Sequence, residues 1–484
     1  MERRQWGPWA AGGAAFVTAM TVALLPLTSP APNDTKPAIP SRVAGYSYLT
    51  GDVASSPSGR AVALFQYGFG VEFLDFPQAV VIGAGGDRYR RVGVAETRAG
   101  SETQGDPGPM LLSPDGAHVA VGHHDTTAPD VALVDLTTGQ TRYLPVPGGR
   151  SVIPLAWSAD SKRVAYISGA EPTNPYSGEP NGGPVGILEP ETGQARLLPG
   201  LRAQAIAFSP DGTELAVQRD ASAGGGPRPQ TSPDAAPSKA PTSVEVVGLD
   251  GTVHRRLTLP GGHSLGGPNA WSPDGALIAT RNDAWECLQP QGDSDEAKSQ
   301  ACEEQRVVTA FVDASGRGAP APASLRGGVA GTNDVLGWTA EREVLVLDDL
   351  PSPIDSTDDS KIVRAEDTEG RWLTAVSLGS SGARRVSAVP FDDNYGIGTF
   401  QMASALLPGL EVREAGEADR GRWPTTLRVG VAALFAGLVL LVTKRFAGRK
   451  AASPSASSWS PDPVDQDAGS PPEPPGIHSP GTWA

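Results

Sequence analysis

Cysteine is nearly missing from this 484-residue chain: its two residues cannot build a disulfide-rich scaffold, and alone they cannot complete a cysteine-ligated metal site. Positive charge is also in short supply. The 39 Lys and Arg face 54 Asp and Glu, for a net charge of −15. No stretch of the main body gathers enough basic residues to neutralise a run of phosphates, which argues against nucleic acid as a partner. Only seven of the basic residues are Lys, an Arg bias that accompanies the Ala, Gly and Pro excess as codon composition rather than chemistry. Apolar residues stand at 39%, below the usual share of about 45–50%. The excess lies in Gly and Pro, which fill 105 of 484 positions, or 22%, against an average of about 12%. A largely helical protein is excluded. Length alone allows two or three domains, but all-β rings run long as single units.

Two segments point to a membrane. Arg3 and Arg4 precede an uncharged run from Gln5 to Asn33 that is most apolar from Ala10 to Leu27. Gly12, Gly13 and Pro26 interrupt it and Pro30 and Pro32 follow, which disfavours a buried first helix. Residues 1–32 are expected to be an export signal, either cleaved near Ala31 or kept as an N-terminal anchor, with 33–42 a linker. The second segment, Thr425 to Thr443, has 19 residues. At helical rise it reaches about 28 Å, close to a hydrocarbon core of about 30 Å, so a transmembrane helix is expected there. Arg428 can snorkel from its first turn, and Lys444, Arg445, Arg449 and Lys450 follow it. Arg413, Arg420, Arg422 and Arg428 balance those four, so local counting ties. The N-terminal Arg pair, retained in the cytoplasm, breaks the tie and places the body outside the plasma membrane, with 444–484 inside. That Pro/Ser-rich tail carries no Lys or Arg beyond Lys450 and is expected to be disordered. Cys287 and Cys302, with fourteen residues between them, form an even pair in an exported body and are expected to be a disulfide. Closing a loop of that size would stabilise by about 3 kcal/mol on the chain-entropy view.

Self-similarity organises the rest. Ser113-Pro114-Asp115-Gly116, Ser209-Pro210-Asp211-Gly212 and Ser272-Pro273-Asp274-Gly275 are complete copies of one turn. Worn copies begin at Ser56, Ser158 (with Asp160) and Thr339. Ser bonds backbone at the first position, Pro fixes φ at the second, Asp suits the turn, and Gly accepts a left-handed conformation at the fourth. An aromatic residue precedes most copies, as Trp157, Phe208, Trp271 and Trp338, and a β-rich run follows each. A second turn, such as Asp135 to Gly139 or Glu189 to Gly193, separates two further strands. Four strands in some 45 residues, the spacing from Ser113 to Ser158, is the size of one propeller blade.

These motifs resemble the TolB-like and WD-repeat-like β-propellers, in which an apolar residue followed by Ser-Pro-Asp-Gly opens each blade. The resemblance covers residues 43–390 and implies an all-β ring of four-stranded antiparallel blades, the strand before each Ser being innermost. The WD dipeptide is absent, so partner rules from WD repeats do not transfer. Six blades are expected, with seven as the alternative if Phe391 to Gly421 forms a blade. The ring would close through Val43 to Leu49 or Phe391 to Phe400, making 391–423 a linker or a closing segment.

Chemistry is harder to find. Gly262-His263-Ser264-Leu265-Gly266 matches a nucleophile elbow by letter, but no helix follows the Ser, and the only later His is His478 in the tail. A Gly-rich loop between blades is the simpler expectation. His123-His124-Asp125 lacks a third metal ligand by spacing and is expected to be a solvated loop, while His118 and His254 stand isolated. Asp355, Asp358 and Asp359 form an acidic loop without EF-hand spacing. No cofactor is implied. The expected protein is a membrane-anchored extracellular propeller, non-catalytic, binding an extracytoplasmic protein or envelope ligand. The alternatives are a lyase or hydrolase working in the channel, or a ligand sensor.

Overall fold

The computed structural model describes residues 36–67, 77–98, 106–173, 182–219, 242–282, 307–326, 335–340, 342–348, 370–378, 383–390, 397–423 and 425–451. The chain divides into a unit of residues 25–427 and a second unit that carries most of the C-terminal helix. In the first unit, six four-stranded antiparallel sheets follow one another as the blades of a propeller.

Blade 2 comprises Met110–Leu112 (β5), His118–Val121 (β6), Asp130–Asp135 (β7) and Thr141–Pro145 (β8). Blade 3 comprises Ser151–Trp157 (β9), Val164–Gly169 (β10), Gly183–Glu189 (β11) and Gln194–Ala203 (β12). Blade 4 follows as Ala205–Phe208 (β13), Glu214–Gln218 (β14), Ser243–Gly248 (β15) and Val253–Thr258 (β16). Blade 5 uses His263–Leu265 (β17), Leu277–Asn282 (β18), Val307–Asp313 (β19) and Leu325–Arg326 (β20). Blade 6 uses Gly337–Ala340 (β21), Glu343–Asp348 (β22), Gly370–Ser377 (β23) and Ala383–Pro390 (β24).

Burial follows from this geometry. The second and third strands of each blade are covered on both faces by neighbouring blades, so they read as continuous apolar runs, such as Val164 to Ile167 or Val131 to Val134. Outer strands meet water and alternate, as in β16, where Leu257 is buried between exposed Arg256 and Thr258. The core therefore lies in wedges between adjacent blades rather than at one centre.

Blade 1 closes the ring. Ala61–Tyr67 (β2), Gln78–Gly83 (β3) and Tyr89–Arg91 (β4) come from the start of the body, but Ile397–Met402 (β25) supplies the fourth strand. β25 pairs antiparallel with β2, placing Phe400 opposite Phe65. Of the two closures expected from sequence, the C-terminal one is formed; Val43 to Leu49 forms no strand. Of the two roles expected for 391–423, linker or closing segment, residues 397–402 take the closing one, and no seventh blade forms among the described residues, because those residues are used in blade 1 and Ser404–Gly409 is a 3-10 helix.

A second clasp lies outside the first. Ala38–Pro40 (β1) pairs in parallel with Glu411–Arg413 (β26). The same N-terminal segment bonds blade 6 through Val43 N–H to the Ala388 carbonyl, 2.8 Å, and blade 1 through Ala38 N–H to the Ala84 carbonyl, 3.1 Å. Last and first blades are thus tied by the chain that leaves blade 6 and supplies the inner strand of blade 1, and by a strap bonded to both.

Thr425–Ala451 is a single 27-residue helix, most of it in the second unit. Both cysteines, residues 1–35, the Pro-rich insert up to residue 241, the acidic loop at 355–359 and the tail beyond residue 451 lie outside the described residues.

Candidate functional site

The repeated turn has the same bonds each time. The hydroxyls of Ser113, Ser158, Ser209 and Ser272 each donate to the Asp two residues on, Asp115, Asp160, Asp211 and Asp274, at 2.6 Å. Each Ser oxygen also accepts the N–H of the fifth residue onward, 2.9 Å away in every copy. The same Asp oxygen takes the N–H two residues on, such as Ala117 or Thr213. Gly116, Gly212 and Gly275 sit at φ near +70°, and Ser161 holds the equivalent position at +58° without glycine's freedom. Hydrogen bonds from the Ser209 hydroxyl and the Thr213 amide hold Asp211 below the usual carboxylate range. Partial burial opposes the same effect at Asp160 and Asp274 without reversing it. These carboxylates are occupied by their own turns and converge on no common point.

The strands before the turns face the ring's axis. Met110, Leu111 and Leu112 of β5, Leu155 and Trp157 of β9, Val335 and Leu336 ahead of β21, and Phe400 and Met402 of β25 line a channel cavity of about 500 Å³. Its polar wall groups are Asn269, Arg281, Thr399, Gln401 and Ser404. No carboxylate or imidazole lines it among the described residues. At the turn end, Pro114, Pro210 and Pro273 gather with Phe208, Trp271 and Trp338 around a smaller cavity of about 310 Å³. The 3-10 helix crosses this end: Ala405 N–H donates to the Pro114 carbonyl at 3.0 Å. A Cβ on Gly337 would stand 2.3 Å from a Leu407 methyl, so a side chain there would have to displace Leu407 from this crossing.

Both amide side chains of the channel wall, Asn269 and Gln401, are spent on joining blades. Gln401 accepts the Leu112 N–H and donates to the Met110 carbonyl, both at 2.9 Å, locking the closing strand to blade 2. The Trp157 indole donates to Leu111 of blade 2 at 3.2 Å, and Trp338 donates to the Asn269 carbonyl of blade 5 at 3.0 Å. Asn269 donates onward to Leu336 of blade 6, 2.9 Å, and Gln218 of blade 4 accepts the Leu265 N–H of blade 5, 2.7 Å. Trp271 lacks such an acceptor: its N–H is buried without a partner among the described residues. Sequence reasoning placed these tryptophans as turn flanks and missed their role between blades, along with that of Gln218, Asn269 and Gln401. The recurrence of Trp just before the turn was the one available signal.

Three expectations are corrected. His263–Leu265 is the inner strand of blade 5, not a loop, its ends set by Gly262 and Gly267 at positive φ. Ser264 is buried and its oxygen accepts from Arg281 Nε at 3.0 Å; a guanidinium cannot take its proton, so no nucleophile is activated. His123 and His124 are not a solvated pair: His123 Nε2 meets Asp130 at 3.1 Å, and His124 is buried with Nδ1 3.0 Å from the Thr173 hydroxyl. His254 is not isolated, because its Nδ1 lies 2.7 Å from Glu214, which Arg255 also holds. No group of three metal-ligating side chains occurs among the described residues.

Burial, with His123 alongside, pushes His124 down to about 4. Because the unfolded chain takes up this proton near pH 6.5, acid favours unfolding between pH 6.5 and about 4. His124→Asn is expected to remove that part of the slope, about 2 kcal/mol between pH 7 and pH 5, in urea titrations at the two pH values. An unchanged slope would place His124 in contact with water.

No protein-family model and no curated protein matches the chain. Solved structures similar to it include TolB from Acinetobacter baumannii, 13% identical, covering 71% of this chain and 67% of that one with a TM-score of 0.39. An oligogalacturonate lyase in complex with manganese is 12% identical over 69% of this chain and 76% of its own, TM-score 0.34. An acylaminoacyl peptidase is 11% identical over 56% of this chain and 37% of its own, TM-score 0.30. With scores this low, the propeller is assigned from the chain's own sheet order, and none of these proteins' activities is carried over.

Proposed function

We propose that the chain is a membrane-anchored, exported propeller acting as a non-catalytic binding module, which receives part of an extracytoplasmic protein or envelope ligand in its channel. The channel wall carries this reading. Nucleophilic and acid–base catalysis need titratable groups converging on one point. The described wall is instead apolar, apart from one guanidinium and a few amides and hydroxyls, most of the amides already bonded between blades. Such a wall suits an apolar side chain or short segment of a partner.

The helix supports the anchor. Leu427–Arg445 has a mean hydropathy of 1.9, and Val431, Leu434, Phe435, Leu438 and Leu441 are each more than half exposed. Apolar residues on all sides suit lipid better than water.

Two measurements test this. A photoreactive residue at Leu155 should give one discrete adduct in living cells, and one at Tyr143, an exposed rim residue, should not. No adduct from Leu155 would remove the channel as the binding surface. On intact cells, a membrane-impermeant amine reagent should modify Lys162 and spare Lys444 and Lys450. The reverse pattern would invert the orientation.

A further inference from the structure

Besides Tyr143, Leu197, Val253 and Val412, the ring exposes large apolar side chains at one further place among the described residues. Tyr48, Leu49 and Trp423 are 45%, 39% and 48% exposed. They lie on two segments far apart in sequence that the fold binds together. Arg420 donates to the Gly45 carbonyl at 2.7 Å and to the Thr50 hydroxyl at 3.0 Å. Gly51 N–H donates to the Arg420 carbonyl at 2.7 Å. A Cβ on Gly51 would stand 2.0 Å from the Arg422 carbonyl oxygen, so the backbones touch and only glycine fits. The Tyr46 and Tyr48 rings meet edge to face at 5.0 Å, which stiffens the loop.

This patch occurs where the chain is about to enter the apolar helix. Trp423 is two residues before Thr425, the helix's first residue. Through the bonds of Arg420 and Gly51, the loop that carries Tyr48 and Leu49 is held beside residues 420–422, which lead into Trp423. Aromatic rings with one polar edge concentrate in the headgroup layer of membranes, where they keep that edge wet while burying the ring.

We propose that Tyr48, Leu49 and Trp423 form an interfacial foot seated in the headgroup layer of the bilayer that Thr425–Ala451 crosses. The inference rests on the anchor reading above. The exposed carboxylates Glu414 and Glu417 and the partly buried Arg420 and Arg422 stand on the same segment with opposite signs, so the contact rests on its rings and not on charge.

The test uses the full chain in phosphatidylcholine vesicles, with a benzophenone amino acid placed singly at Tyr48, Leu49, Trp423, Leu434 or Tyr143. Leu434 reports on the anchor and Tyr143 on an exposed apolar residue elsewhere on the ring. Tyr48 and Leu49 are the decisive positions, because only the fold, not the sequence, brings them beside residues 420–422, just ahead of Trp423. The expected result is lipid adduct at Tyr48 and Leu49 at least about fivefold above Tyr143, with Leu434 strongly labelled. If Leu434 labels lipid but Tyr48 and Leu49 match Tyr143, or couple to protein instead, the foot is overturned and the anchor stands. If Leu434 fails to label lipid, the anchor falls and takes the foot with it.

Discussion

Phe65→Ala is expected to destabilise the ring by about 3–5 kcal/mol, the range for truncating a fully buried phenylalanine. Phe65 is 0% exposed in β2, packs edge-on against Tyr67 at 4.7 Å, and stacks on Phe400 at 5.6 Å with the rings nearly parallel. Phe400 belongs to the strand that closes the wheel, so the substitution opens a cavity and also removes the main side-chain grip on that strand. Phe65→Leu keeps most of the volume and should cost about a third as much. The denaturation midpoint should fall with little change in slope. A loss under about 1 kcal/mol for the Ala variant would mean that the stacked pair does not hold the closure.

Trp157→Ala should cost a similar amount, about 3–5 kcal/mol, but for two separable reasons. The indole is 6% exposed, fills the wedge between blades 2 and 3, and donates to the Leu111 carbonyl. Trp157→Phe retains much of the packing and removes only the indole's hydrogen bond, the Leu111 carbonyl keeping its sheet partner Ala120, which should account for about 0.5–1.5 kcal/mol. Because Trp157 also lines the channel, the Ala variant should widen it and raise uptake of an apolar fluorescent probe, whereas the Phe variant should change uptake little. Equal losses for Phe and Ala would assign the whole effect to the hydrogen bond.

The two substitutions mark the boundary of what the sequence makes legible. Blades 2 to 5 can be read because the turn is local: Ser, Asp and Gly satisfy one another within six residues, so the same letters must recur wherever the same bend is made. Trp157 can be placed before its turn, but its acceptor lies in another blade, and nothing in the local pattern names Leu111. Closure is harder still. Ile397 to Met402 carries no turn signature, and its partner strand lies at the far end of the body, so sequence left two closures open. Gln401 and Asn269 act through bonds between blades that no spacing rule encodes. His263 to Leu265 misleads for a different reason: flanking glycines suggest a loop, yet they only bend the chain into and out of a short buried strand. Histidine burial is likewise a property of the packed ring. Solvent and Thr173 give His124 the same sequence environment.

Amide hydrogen exchange across blade 1 tests most directly whether the wheel is closed by its C-terminal strand. Ile397–Met402 and Ala61–Tyr67 share one sheet, so neither can open without breaking the other's bonds. Peptides covering the two strands should exchange at the same slow rate and lose protection together as denaturant is added. Rapid exchange of 397–402 beside a still protected 61–67 would contradict the closed ring.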